Sequence, residues 1–355
     1  MTYAARGLRG SPVIRCCLIV LVLLSIGACG AAVAPAPAAP DAVAGVTAPS
    51  IDAQRITVSG ISAGGMMAHQ LHVAYSDLFG GAAAIAGGPF GCADGSLATA
   101  MARCMASDAG GLPVAELADA LRADAAAGRV APLENLADDR VWLFHGSRDA
   151  VVAGGVSDAL AELYAALLPA GNLRYVDDMA AAHLFPTDGR GGDCGVSQPP
   201  FVGDCGFDAA GELLQFLYPG LAAPRAAPGA PAPAELTARD LPGGPDAGLA
   251  ATAWLYVPAA CRRAGAGCAL HLVLHGCAQS AQQVGSAFIE RSGYLPWADA
   301  NGIVLAFPQV EPAAANPYAC WDWWGYTGSA YRFRTGRQMQ VLAEWVATLA
   351  NIAAT

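Results

Sequence analysis

Arg55-Ile56-Thr57-Val58-Ser59-Gly60-Ile61-Ser62-Ala63-Gly64-Gly65-Met66-Met67-Ala68 joins a strand signal, a glycine-flanked serine and the start of a helix without interruption. Arg55 to Ser59 is short and β-branched, the composition of a strand. Met66 to Ala74 reads as a helix packed behind it. Between them, Gly60-Ile61-Ser62-Ala63-Gly64 has the spacing of a nucleophile elbow. The glycines remove side chains that would clash across a sharp turn, so the serine oxygen is held clear at the sheet edge. With 42 glycines in the chain the five-residue pattern can arise by chance, so the weight rests on the flanking strand and helix.

A second motif lies more than two hundred residues later. Leu270-His271-Leu272-Val273-Leu274 reads as a buried strand, and His275-Gly276-Cys277 follows it as an oxyanion loop would. In an α/β-hydrolase this strand precedes the serine; here it follows. Phe288 to Ala300 reads as a helix, Ile303 to Phe307 as a strand and Arg337 to Ile352 as a terminal helix. The second half therefore supplies the first elements of the hydrolase order, and Arg55 to Ser59 supplies the next strand. The expectation is a circularly permuted α/β-hydrolase fold in a single domain, residues 51–355, with a mostly parallel central sheet flanked by helices. The Pro/Ala/Gly-rich segment 220–248 would connect what were once the two ends.

The remaining catalytic groups follow from order and placement. Arg140 to Phe144 reads as a strand, and Asp149 lies in the loop after it, where a carboxylate can orient an imidazole. Asp177 and Asp178 also follow a strand, Leu173 to Val176, and compete for that role. The base must come after the acid, leaving His183, His271 and His275 among six histidines. His271 and His275 belong to the oxyanion strand, and His69 and His72 to the helix behind Ser62, so structural roles suit these four. His183 sits in a loop and is the candidate base. The backbone N–H groups of Ala63 and Cys277 are the candidate oxyanion donors, each worth about 3 kcal/mol in such a site. The cluster Cys320-Trp321-Asp322-Trp323-Trp324-Gly325-Tyr326 reads as part core plug and part apolar binding wall. Trp324 is the first choice for that wall, with Trp323 and Tyr326 beside it.

Composition excludes several classes. All 19 basic residues are arginine, which removes lysine Schiff-base chemistry, phosphate-loop lysines and Ser–Lys dyads. The net charge of -10, with no basic stripe, argues against nucleic-acid binding. Arg6, Arg9 and Arg15 precede an apolar run from Cys16 to Leu24, an export signal over residues 1–28. Loss of that segment makes the mature chain about three units more negative. Ile26-Gly27-Ala28-Cys29 resembles a bacterial lipobox, so lipidation of Cys29 and a membrane tether compete with simple cleavage and secretion. Residues 29–50 form an Ala/Pro-rich leader or tether. Eight cysteines remain beyond the signal region, an even number that reads as disulfides in an exported chain. Neighbour pairing is the simplest connectivity: Cys92–Cys104, Cys194–Cys205, Cys261–Cys268 and Cys277–Cys320. About 105 pairings exist, so spacing leaves the choice open. No Cys-x2-Cys pair favours a metal site, and neither a metal nor a cofactor is expected.

These motifs, with Leu71-His72-Val73-Ala74-Tyr75-Ser76-Asp77, resemble those of the extracellular poly(3-hydroxybutyrate) (PHB) depolymerases and their permuted esterase relatives. The resemblance spans the chain from about Ile51 onward. It implies a Ser62–His183–Asp149 triad, oxyanion amides at Ala63 and Cys277, and Trp324 along the polymer crevice, and it agrees with neighbour-paired disulfides. The activity it implies is cofactor-free cleavage of a polyester or oligoester by a monomer. Many members carry a linker and a polymer-adsorbing domain after the catalytic one; this chain ends at Thr355 without that segment. A carbohydrate or feruloyl esterase on the same scaffold, and a non-catalytic polymer-binding envelope lipoprotein, are the alternative readings.

Overall fold

The structure is a computed structural model that describes residues 49–106, 111–224 and 236–352. The expected signal peptide, Cys29 and nearly all of the Ala/Pro-rich leader lie outside the described residues, as does part of the connecting segment. The first half runs β1 (Ile51–Ile61), α1 (Ala63–Ala74), β2 (Gly81–Ile85), a short α2 (Leu97–Thr99), α3 (Val114–Ala126) and β3 (Arg140–Phe144). It continues with α4 (Gly154–Ala165), β4 (Leu173–Val176), three short strands β5 (Phe185–Thr187), β6 (Gly192–Asp193) and β7 (Val202–Asp204), and α5 (Ala209–Leu217). The second half runs β8 (Leu236–Asp240), β9 (Thr252–Tyr256), β10 (Cys268–Leu274), α6 (Ala281–Val284), α7 (Ala287–Arg291), α8 (Tyr294–Asn301), β11 (Ile303–Phe307) and α9 (Arg337–Ala350).

One eight-stranded sheet takes the order β4-β3-β2-β1-β10-β11-β9-β8. The six strands from β4 to β11 are parallel, and β9 and β8 pair antiparallel at the far edge. Helices cover both faces. Leu71 of α1, Leu121 of α3 and Trp345 of α9 belong to the core on one side. Leu213 of α5 and Trp297 of α8 belong to the core on the other. Burial on both faces explains why β1, β10 and β11 read as continuous apolar runs rather than alternating ones. In α9, Met339, Leu342, Ala343, Val346 and Ala350 recur at helical spacing and are all buried.

The middle of this order is that of an α/β-hydrolase with its cut moved. The chain passes from β10 through α6, α7 and α8 to β11, then α9, and its N-terminal β1 lies beside β10. All described residues belong to one compact unit. The segment 220–248 is more than a connection: Leu236–Asp240 pairs with β9, Leu236 opposite Tyr256. Its sequence, Leu-Thr-Ala-Arg-Asp, carries little strand signal because an edge strand is only half-buried. The expected helix from Phe288 to Ala300 is broken into α7 and α8 at Gly293, which takes a φ of 92°.

Register sets up the site. Gly60 pairs with Leu274, Ile61 with Ile85, Ile85 with Phe144, and Phe144 with Val176. Five parallel strands therefore end level, and the loops beyond β1, β10, β3 and β4 gather at one carboxyl edge, where open α/β sheets bind ligands. Ser62, Cys277, Asp149 and His183 are carried by those four loops.

Candidate active site

Ser62 sits between β1 and α1 at φ 56° and ψ -123°, a conformation that costs a non-glycine residue roughly 1–3 kcal/mol. Its N–H donates to Ile85 O at 2.8 Å, and its carbonyl accepts from Met66 N–H at 2.9 Å, which holds the turn. A Cβ on Gly60 would lie 2.2 Å from Gly64 O, and one on Gly64 would lie 2.4 Å from Leu274 O. Both glycines are thus demanded by backbone packed on backbone. Ser62 is half-buried and Ala63 begins α1, whose N-terminal dipole favours negative charge.

Asp149 spends both carboxylate oxygens. Oδ1 accepts from Val151 N–H at 2.8 Å and Val152 N–H at 2.9 Å; Oδ2 lies 2.6 Å from His183 Nδ1. Burial pushes the carboxyl up, but the hydrogen bond and charge of His183, with the Val152 and Val151 amides, outweigh it and hold Asp149 below its ordinary value. Asp177 and Asp178 are exposed on the loop after β4. The His183 loop is fixed from below. Ala182 N–H donates to Cys194 O at 2.9 Å, Ser197 Oγ donates to His183 O at 2.8 Å, and a Cβ on Gly146 would lie 2.2 Å from Ala181 O. Cys194 is bonded to Cys205, so that disulfide anchors the loop that carries the imidazole.

The loop after β10 passes against the serine: a Cβ on Gly276 would lie 3.5 Å from Ser62 Cβ. Gln279, which the sequence did not single out, clamps this loop. Its Oε1 accepts from Gly276 N–H at 2.7 Å, and its Nε2 donates to Pro200 O at 2.8 Å. His275 is locked as a neutral imidazole. Nδ1 lies 2.7 Å from Gly276 O, while Nε2 accepts from Val310 N–H at 3.2 Å, and burial lowers its pKa to about 4. Cys277 is joined to Cys320, and neither the Ala63 nor the Cys277 N–H is spent on another backbone group among the described residues. The other pairs are Cys92–Cys104 and Cys261–Cys268. Four disulfides mark an oxidising compartment.

Ser62, Ala63, His183 and Cys277 line one cleft of about 500 Å³. Trp323 and Trp324 form part of its wall, packed edge to face with ring centres 5.3 Å apart. Tyr326 is not among the lining residues. Its hydroxyl donates to Cys320 O at 2.8 Å and receives Gln338 Nε2 at 2.9 Å, behind Trp324. Trp321 is the core plug, with its Nε1 donating to His275 O at 2.9 Å. Buried Asp322 shapes the turn by accepting from Gly325 N–H at 2.6 Å and Thr327 N–H at 2.8 Å. Sequence reasoning also missed the rim: Leu97, Met101, Val151 and Tyr318 line the cleft yet remain 42 to 64% exposed. The other histidines are structural in their surroundings. His72 lies between Tyr164 OH at 2.8 Å and Asp139 Oδ2 at 3.0 Å, and His271 between Thr57 Oγ1 at 2.6 Å and Ser59 Oγ at 2.7 Å.

An imidazole oriented by a buried carboxylate, facing the same cleft as a serine on a strained elbow, can turn a hydroxyl into a nucleophile. The Ser62 and His183 side chains make no direct hydrogen bond among the described residues, and such bonds commonly tighten only when substrate is bound.

No family model matches the chain. A poly(3-hydroxybutyrate) depolymerase of Delftia acidovorans is 43% identical over 312 residues, which cover 83% of this chain and 60% of that protein. The chain thus spans less than two thirds of that relative's length. A polyhydroxybutyrate depolymerase of Talaromyces funiculosus is 34% identical over 295 residues, covering 79% of this chain and 85% of that one. Among solved structures, the PHB depolymerase of Penicillium funiculosum superposes with a TM-score of 0.79 at 32% identity, covering 86% of this chain and 98% of that one. A PHB depolymerase complexed with an R3HB trimer matches to the same extent. With its permuted sheet, its elbow and these relatives, the chain belongs to the polyhydroxybutyrate depolymerase family.

Proposed function

We propose that this protein is an exported serine esterase that hydrolyses the ester bonds of poly(3-hydroxybutyrate) or its oligomers. Ser62 is the nucleophile, His183 the base and Asp149 the group that orients it. His183 takes the Ser62 proton as Oγ attacks the ester carbonyl, and the Ala63 and Cys277 amides receive the oxyanion. The alcohol end leaves with the proton from His183. Water, deprotonated by His183, then breaks the acyl–serine bond and releases a hydroxyacid or short oligomer. No cofactor enters any step.

The observation that carries this reading is the 2.6 Å contact between His183 Nδ1 and Asp149 Oδ2, at the cleft that Ser62 lines, in a chain of this family. The apolar wall of Trp323 and Trp324 supports a polyester over a sugar ester, since sugar hydroxyls need polar partners. We further propose that residues 51–355 act as a single catalytic domain and a monomer, after removal of residues 1–28, with or without a lipid tether at Cys29. Incubation with a fluorophosphonate should label one serine, Ser62 by peptide mass, and Ser62→Ala should abolish it. Labelling that persists in Ser62→Ala sinks the assignment.

A further inference from the structure

The cleft is as notable for its charges as for its shape. Among the described residues that line it there is no arginine and no carboxylate, and the chain contains no lysine at all. Its two amide side chains are already engaged. Gln279 holds Gly276 and Pro200, while Asn316 donates to Cys320 O at 2.8 Å and accepts from Cys320 N–H at 3.0 Å. Ser197 Oγ is bonded to His183 O. Two arginines outside the lining are placed against other groups: Arg148 Nη1 lies 3.8 Å from where a Cβ on Gly195 would stand, and Arg332 sits over the Phe90 and Phe333 rings, 3.7 Å from Asp124. The fixed charge that the site itself carries is negative, Asp149, one imidazole away from the reacting centre.

An anion brought into such a cleft loses water and finds no cation among its described lining residues; the Ala63 and Cys277 N–H groups serve only the scissile oxygen, and elsewhere it meets the field of a buried carboxylate. A polyester chain is neutral everywhere except at its carboxyl terminus. We infer that the cleft accepts only uncharged stretches of the chain, so that esters remote from the carboxylate end are cut and the terminal unit is not read. This rests on the polyester reading proposed above. The same rule governs release. When water takes the acyl carbon, the Ser62 Oγ–C bond breaks and Oγ recovers a proton through His183. The freed acid then gives its proton to solvent, and the anion that remains has only the two oxyanion amides and no cation to hold it. Hydrolysis thus creates the charge that clears the cleft.

The test compares 3-hydroxybutyrate trimers and hexamers as free acids and as methyl esters, with wild-type full-length protein. Methyl capping should raise kcat/KM on the trimer by about tenfold or more and matter little on the hexamer, whose carboxylate can lie outside the cleft. Methyl 3-hydroxybutyrate should compete with substrate at concentrations where 3-hydroxybutyrate does not. Met101→Arg, which places a cation at the exposed rim, should shrink the capping ratio. Free-acid trimers cleaved as fast as capped ones would overturn the inference, as would inhibition by the anion equal to that by its ester. p-Nitrophenyl hexanoate and the p-nitrophenyl half-ester of adipic acid read the same charge rule without a polyester. Discrimination between these two, with no turnover of any oligomer, sinks the polyester reading and leaves the charge rule standing. Equal rates on the two sink the charge rule.

Discussion

Asp149 is where position and charge meet most closely. Three hydrogen bonds converge on one carboxylate whose side chain is 1% exposed, and two of them come from the backbone two and three residues ahead. Asp149→Asn keeps the shape but offers His183 Nδ1 an amide in place of a charge. We expect kcat to fall by about 10³–10⁴ with KM little changed, read on a soluble ester. The pH sense follows from the lowered pKa. Because folding depresses this carboxyl, its contribution to stability is full above the ordinary carboxylate value and is lost as pH falls through its lower folded value. Asp149 should therefore stay ionised, and keep orienting its imidazole, at pH values below the ordinary carboxylate range. The placement of Ser62 and Asp149 just beyond strands was legible in the sequence, because each stands in a readable local context. Gln279 and Asp322 were not, because their partners are backbone groups that only the folded loops bring near.

At the scale of elements, the loop after β10 and the turn carrying the tryptophans are held as one piece by Cys277–Cys320, across a separation of 43 residues. Closing a loop of that length is worth about 4 kcal/mol in the chain-entropy account. Replacing both cysteines by alanine removes the bond but leaves the Cys277 position its N–H. We expect a lower urea midpoint and a fall in kcat larger than any change in KM, since a loosened loop misplaces an oxyanion donor. An unchanged kcat would mean that Gln279 and its partners hold the loop unaided. The central strands could be read because burial on both faces makes them continuous apolar runs. β8 and the small sheet of β5, β6 and β7 could not, because Leu236–Asp240 and the Gly- and Pro-containing strands near the His183 loop owe their pairing to distant neighbours.

For the whole molecule, the order of the two motifs proved more informative than either motif. A serine strand preceding its oxyanion strand is readable as a moved cut only if both are assigned to one sheet, and Gly60 opposite Leu274 is that assignment made physical. What order could not convey is the rim, since Leu97 and Met101 become cleft residues only once the loop after β2 folds over the edge. The interior also sets acid tolerance. Burial lowers His69 and His271 to about 3 and His275 to about 4, from 6.5. Their stabilisation is full above pH 6.5 and drains as pH falls toward those folded values, each contributing a slope of about 1.4 kcal/mol per pH unit. Urea midpoints measured from pH 8 to pH 4.5 should hold steady and then drop below pH 6.5; a flat profile contradicts this account of the core. The most direct test of the central claim is acid release from amorphous poly(3-hydroxybutyrate) and its soluble oligomers by wild type and Ser62→Ala. Wild type should release acid, and the variant should lose about 10³-fold or more of that rate. A variant that retains activity within about tenfold of wild type would contradict it.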